Sequence, residues 1–472
     1  MTMTESGRSA QIRQGLDHPV IDGDGHFVEY MPLLLEIMAD IGGDDLVAHF
    51  GVRHPRWYAL GDEVRRAKRY TRPPWWALPT TNTLDSATSV LPGLLRSRMD
   101  EIGLDYAVLY PTTGLGAAHL ADEDLRIGAC RSWNAYQAEV FGPHADRMTG
   151  VAIVPMHTPD EARAVLDEAF VTQGLKAVLM PSHVVRPIET GRTGTYLDVF
   201  AIDSAYDYEP VWARCAELGV SPTFHSGGMG WGSRMSPSVY MYNHIGHFAA
   251  ASEALCKALF FGGVTRRHPG LHFGFLEGGV GWAVDLFAGL VARWEKRGGT
   301  AVLNYDPERF DRAMFADLFD RFAEGRMRDH AGEVDDVYRR LGPGLQDPDR
   351  LDDFAGAGIT EALDIAERFI PNFYFGCEAD DPINAWAFDT RGNPFGVKVK
   401  AFFSSDIGHW DVPDMTEVLE EAYELVEYGL ITGDDFREFV FGNAARFYGE
   451  PNPSFFAGTV VEDAVAAVTD PA

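Results

Sequence analysis

Short apolar runs recur along the chain, and each ends abruptly at polar residues. Pro19-Val20-Ile21-Asp22 stops at Gly23-Asp24-Gly25-His26, Tyr106 to Tyr110 at Pro111, Gly150 to Val154 at Pro155, and Leu175 to Met180 at Pro181. Val220 to Phe224 runs into His225, Leu271 to Leu276 into Glu277, Phe373 to Phe375 into Gly376, and Val399 to Phe403 into Ser404-Ser405-Asp406. Runs this short and this apolar are the signature of strands buried on both faces. Between them, residues 122–140, 160–172, 208–218 and 415–427 have helical spacing. Strands alternating with helices predict a parallel sheet. Eight such units, with neither GxGxxG nor GxxxxGK[ST], predict an α/β fold of the (β/α)8 TIM-barrel type rather than an open nucleotide-binding sheet.

Two stretches exceed a minimal barrel. Residues 27–100, with His54-Pro-Arg-Trp57 and Pro73-Pro-Trp-Trp76, read as an N-terminal cover segment. Residues 297–370 read as a helical insertion before the seventh strand, so that residues 17–450 form one domain. Each stretch is either peripheral cover or a lid over a hydrophobic substrate. Residues 1–16 read as a disordered tail and 451–472 as a C-terminal tail.

Composition narrows the partners. Against 40 Lys and Arg stand 70 Asp and Glu, a net charge of −30 that repels nucleic acid and anionic membranes. The four cysteines, Cys130, Cys215, Cys256 and Cys377, form no CxxC pair. With no long uncharged apolar stretch, the expectation is a cytoplasmic enzyme acting on a small molecule.

The candidate chemistry lies at the strand ends. Asp24, His26, His225, Glu277 and Asp406 all fall where predicted strands stop, the rim on which barrel enzymes build active sites. Asp24 and His26, two apart on an extended segment, project to one side, and His244 and His247, three apart at a helix start, would share a face. Imidazole and carboxylate together suit Zn²⁺, Mn²⁺ or iron, and these seven donors exceed the needs of one tetrahedral ion, so the expected cofactor is one or two divalent ions. Glu277, His247 and Asp406 are the candidate proton-transfer groups. His183, after the fourth strand, and Arg186 are weaker candidates for holding substrate. Lys176 lies inside a strand, poorly placed for carbamylation at the rim, and no GxSxG elbow is present.

Ile21-Asp-Gly-Asp-Gly-His26, Phe224-His-Ser-Gly-Gly228, Phe275-Leu-Glu-Gly-Gly-Val-Gly-Trp282, Phe403-Ser-Ser-Asp-Ile-Gly-His-Trp410 and Asn443-Ala-Ala-Arg-Phe447 occur in that order. The set resembles the amidohydrolase-2 family, the metal-dependent hydrolases and aminocarboxymuconate-semialdehyde-decarboxylase-like enzymes, over about residues 19–448. The resemblance implies a TIM barrel with a divalent metal on Asp24, His26, His225 and Asp406, performing hydrolysis or decarboxylation of a small, partly hydrophobic organic acid or ester. It suggests a homodimer, since barrels of this group commonly pair, and support rather than ligation from His409. The chain also departs from the decarboxylase pattern: Asp24-x-His26 replaces His-x-His, and Glu277 replaces a frequent His. Those carboxylates also fit a branch of the superfamily resembling non-heme diiron monooxygenases, which implies, as an alternative, hydroxylation of a hydrophobic, CoA-linked substrate.

Overall fold

The computed structural model describes residues 7–51, 60–73, 81–191, 193–333 and 351–469. The aromatic motifs at 54–57 and 75–76 lie outside them.

Eight strands form the barrel: β1 (Ile21–Phe27), β2 (Tyr106–Pro111), β3 (Met148–Ile153), β4 (Ala177–Met180), β7 (Pro222–Phe224), β8 (Phe273–Phe275), β9 (Phe373–Glu378) and β10 (Lys400–Ser404). They are parallel and adjacent in that order. All eight predicted runs are barrel strands, because only a strand buried on both faces can be apolar without alternation. Helices Glu123–Phe141, Pro159–Asp167, Glu209–Leu218 and Val418–Glu427 occupy the four predicted helical stretches. The sequence pattern does not reveal the antiparallel hairpin β5 (Val184–Pro187) and β6 (Thr195–Asp198), whose partly exposed residues lack an apolar run.

Polar backbone contacts join the last barrel element to the first. The Asp406 N–H donates to the Asp24 carbonyl at 3.2 Å, and the His26 N–H to the Ile407 carbonyl at 2.8 Å. The residues that join the two ends are thus the proposed metal-binding residues themselves.

The barrel interior is filled rather than open. Tyr110 donates its hydroxyl to Thr223 Oγ1 at 2.9 Å and meets the Tyr448 hydroxyl at 3.3 Å, with all three fully or almost fully buried. This plug leaves the C-terminal rim as the working face.

The N-terminal expectation needs correction. Residues 8–15 are a helix rather than a disordered tail, because tertiary partners hold it: Arg8 pairs with Glu420 and Glu427, Arg13 with Asp105, and Ser9 and Ala10 are buried. Glu462–Thr469 is also helical, and the segment before it buries Phe455 and Phe456. Within the cover segment the described residues form helices at Met31–Phe50, Asp62–Lys68, Thr83–Val90 and Pro92–Ile102. Among its described residues the insertion contributes short helical turns and the helices Arg312–Phe322 and Ala362–Phe369.

Candidate metal centre

Asp22, Asp24 and His26 alternate along β1, so all three face the barrel axis. A register shift between Asp22 and Gly25 locally bends the strand. Asp22 is fully buried and accepts from the backbone N–H groups of Ser405 (2.9 Å) and Asp24 (3.2 Å) and from the Ser405 hydroxyl. Burial pushes its carboxyl up to about 6 despite these bonds. Asp22 therefore locks the loop after β10 against β1. Sequence reasoning treated it only as a strand residue, although the Asp-x-Asp-x-His alternation signalled its direction.

The donors converge. His26 Nε2 lies 3.2 Å from His225 Nε2, 3.6 Å from Asp24 Oδ1, 3.5 Å from Asp406 Oδ1 and 4.0 Å from Glu277 Oε2. His225 Nε2 stands 2.7 Å from Glu277 Oε2 and 4.0 Å from Asp24 Oδ1. Two overlapping donor sets result: Asp24, His26 and His225, and His26, Glu277, Asp406 and His409. His409 was read as support only; here its Nδ1 is 2.7 Å from Asp406 Oδ1 and its ring stacks on His26 at 3.8 Å. A residue three beyond Asp406 comes back to the same point because the loop turns tightly there.

Glu277 and Asp406 share a further feature. Both adopt left-handed backbone angles, φ 53° and 50°, which non-glycine residues avoid at a cost of about 1–3 kcal/mol. The strain turns each carboxylate from its strand end into the mouth.

His244 and His247 do not share one helix face. A left-handed Gly246 breaks the pattern, so His244 ends one short helix and His247 opens the next, Tyr240–His244 and His247–Phe261. Their rings nevertheless lie 5.0 Å apart at the mouth, outside the two donor sets. Neither ring nitrogen of His247 has a hydrogen-bond partner, and burial pushes its pKa down to about 3. Glu378, at the end of β9, is a carboxylate the sequence reading overlooked; burial, then Glu277, pushes it up to about 8. With His244, Phe248, Glu277 and Asp381 it lines a cavity of about 310 Å³, a size that suits a small ligand.

Arg186 does not reach this cavity. It pairs with Asp198 and donates to the His157 carbonyl and the Tyr208 hydroxyl, each at 2.9 Å, which uses it to brace the hairpin. Lys176 is likewise engaged away from the rim, donating to the Phe455 carbonyl.

The electrostatics test whether a cation fits. Burial, aided by neighbouring acids, holds Asp24, Glu277 and Asp406 well above the usual carboxylate range, and burial lowers His26 and His225. Among the described residues no lysine or arginine pairs with these three carboxylates, and Asp24 Oδ1 and Asp406 Oδ2 have no hydrogen-bond partner. Uncompensated charge at such depth costs several kcal/mol per group. A divalent cation answers both halves at once, taking lone pairs from neutral imidazoles and charge from carboxylates. Because burial shifts the metal-free carboxyls towards their protonated form and the imidazoles towards their neutral form, metal uptake is expected to release carboxyl protons and to tighten as pH rises. Calorimetry in buffers of different ionisation enthalpy measures this; uptake with no proton release would contradict it.

Close packing explains the glycines of the first motif. A Cβ on Gly25 would collide with the Asp22 carboxylate and come within 3.1 Å of Leu109. Gly25→Ala is expected to yield protein that folds poorly or loses at least about 3 kcal/mol, at the upper end of overpacking costs. Wild-type-like urea unfolding in this variant would refute that account.

Residues 91–327, half of the chain, match the protein-family model described as amidohydrolase. The chain belongs to the amidohydrolase family. An amidohydrolase from Mycobacterium avium subsp. paratuberculosis K-10 is similar in structure, with a TM-score of 0.51 at 17% identity over 92% of this chain and 98% of that one. A dihydroxybenzoic acid decarboxylase from Polaromonas sp. JS666, with manganese and 2-nitroresorcinol bound, gives 0.51 at 14% identity, over 93% and 99%. A 5-carboxyvanillate decarboxylase from Novosphingobium aromaticivorans DSM 12444, complexed with manganese and 4-hydroxy-3-methoxy-5-nitrobenzoic acid, gives 0.51 at 14%, over 92% and 96%. At such identities the likeness establishes the barrel fold of this amidohydrolase-family enzyme. Comparison with curated proteins finds no match. Among the described residues no helix is long and apolar enough to cross a membrane.

Proposed function

We propose that this enzyme uses a divalent metal held by Asp24, His26, His225 and Asp406 to hydrolyse or decarboxylate a small, partly hydrophobic organic acid or ester. The observation that carries the reading is the buried meeting of imidazole and carboxylate donors at the ends of β1, β7 and β10, with no cationic side chain among the described residues to balance them. An ion bound there supplies Lewis-acid polarisation of a substrate oxygen and acidifies a bound water. Glu277, whose carboxyl burial pushes well above the usual carboxylate range, is placed to deliver a proton, as loss of carbon dioxide requires. His247, neutral at pH 7, is placed to accept one, as hydrolysis requires. Ile245, Phe248 and Ala249 supply the apolar lining of the cavity. Manganese is the first ion to test, because the two decarboxylases similar in fold were solved with it.

The test is elemental analysis of protein purified without added metal, then turnover of hydroxybenzoates and their esters under anaerobic conditions. Oxygen-independent release of carbon dioxide or hydrolysis product supports the reading. Two irons per chain with substrate-dependent oxygen uptake would overturn it in favour of a second reading. That reading rests on the donor count: with His409 and Glu277 added, six donors gather here, more than one tetrahedral ion takes, and two irons would open dioxygen-dependent hydroxylation of a hydrophobic, CoA-linked substrate.

A further inference from the structure

The cavity beside the metal centre carries more negative charge than the metal reading uses. Glu378 ends β9, and Asp381 stands three residues further on, where its Oδ1 accepts from the Ile383 N–H at 2.9 Å. Its Oδ2 lies against the left-handed turn at Gly279, where a Cβ would approach it to 3.2 Å. Glu378, Asp381 and Glu277 all line the cavity of about 310 Å³, to which Ile245, Phe248 and Ala249 give an apolar wall.

This charge is not balanced from within the chain. Burial, then Glu277, Asp411, Asp380 and Asp381, pushes Glu378 up, so every charged group acting on it is an acid. Burial, and after it Asp380, raises Asp381 as well, against the bond from Ile383. Among the described residues no lysine, arginine or histidine pairs with either carboxylate. Arg234 is engaged at the rim instead, donating to the Gly246 carbonyl at 3.0 Å. Glu277, a side chain only 6% exposed on the wall of the same cavity, has an oxygen, Oε2, with no hydrogen-bond partner. Carboxylates withdrawn from water in this way call for a counter-charge.

A metal ion is not the counter-charge that fits here. It needs several donors closing on one point, and among the described residues neither Glu378 nor Asp381 belongs to such a group. An ion at the metal centre is balanced by Asp24 and Asp406, the carboxylates that would hold it. A positive group carried by the ligand fits both features of the cavity. Ammonium hydrogens satisfy carboxylate lone pairs, and the carbon stem that bears them packs on apolar side chains.

Resting on the metal-dependent reading above, we propose that Glu378 and Asp381 form a subsite for a positively charged nitrogen, so that the substrate is an organic acid or ester that also carries an ammonium group. The acid or ester group is directed to the metal, the carbon stem lies on Ile245 and Phe248, and the nitrogen reaches Glu378. Glu378 thereby sets specificity, and Asp381 adds to its field.

Calorimetric binding of straight-chain carboxylates to manganese-loaded protein tests this. The ω-amino acids of four, five and six carbons are compared with the ω-hydroxy acids and dicarboxylates of the same lengths, which share the metal-directed group. At least one amino probe is expected to bind about tenfold or more tightly than its hydroxy counterpart, as a hydrogen bond to a charged group allows, and the dicarboxylates most weakly. Glu378→Gln should bring amino and hydroxy probes within about twofold of each other while leaving the hydroxy probe unchanged. Glu378→Asp, which keeps the charge, should retain part of the preference. Asp381→Asn, which keeps an oxygen for the Ile383 N–H, should lose part of it. If every amino probe binds no better than its hydroxy counterpart, the subsite is refuted. It is refuted equally if the preference survives Glu378→Gln intact or, should that variant not fold, survives Asp381→Asn intact. Hydroxy-acid binding that is the same in metal-free protein would instead refute the metal reading.

Discussion

Asp406→Asn protein is expected to fold, to lose its metal, and to turn over substrate at least about a thousandfold more slowly. Asparagine preserves the side chain's volume and tolerates the left-handed backbone that Asp406 adopts at φ 50°, so the change removes charge rather than shape. Charge is what this position contributes. Asp406 Oδ1 lies 3.5 Å from His26 Nε2 and 2.7 Å from His409 Nδ1, and its backbone N–H helps join the ends of the barrel. Without the carboxylate the donor set loses an anion, and transition-state stabilisation of about 4 kcal/mol, a thousandfold in rate, is within what a metal supplies. Elemental analysis, circular dichroism and turnover are to be measured on one preparation. Retained metal with retained turnover would remove Asp406 from the centre; loss of fold would shift the question to His225→Gln.

The largest effect on stability is expected from Arg126→Ala. Arg126 and Glu161 form a bidentate pair at 2.6 and 2.9 Å, both almost completely buried, and Arg126 also donates to the Leu120 and Ala121 carbonyls. Removing one partner strands a carboxylate and two carbonyls, a cost of about 3–5 kcal/mol for broken buried pairs. Urea unfolding of Arg126→Ala, Glu161→Ala and the pair Arg126→Met/Glu161→Leu separates the contributions. The double variant should recover much of the loss, since an apolar pair of similar volume leaves no stranded charge. A double variant as unstable as both singles added together would contradict this account.

These two residues show what was legible beforehand and what was not. Asp406 could be read because it ends an apolar run, and in a barrel every such end points to one rim. Arg126 could not, since on the helix Glu123–Phe141 it resembles any solvated charge until Glu161, 35 residues later, is placed beside it. Arg186 failed in the opposite direction: it follows a strand end as a substrate residue would, but Asp198 claims it. Glu378 was missed because the apolar run was read as ending at Gly376, two residues before it, and His409 because only the tight turn after Asp406 brings it back to the same point.

The sequence by itself determined the barrel, the number of its strands, and the convergence of Asp24, His26, His225, Glu277 and Asp406, because runs buried on both faces leave their chemistry only at their ends. Tertiary structure alone decided the rest. Left-handed turns at Glu277, Asp406 and Gly246 set where side chains of known position finally point. Ion pairing decided which charges were free, fixing Arg186 and the N-terminal helix in place. The gathering of His409 and Glu378 beside the donors that were read depends on contacts between strands far apart in the chain, and no local pattern records them.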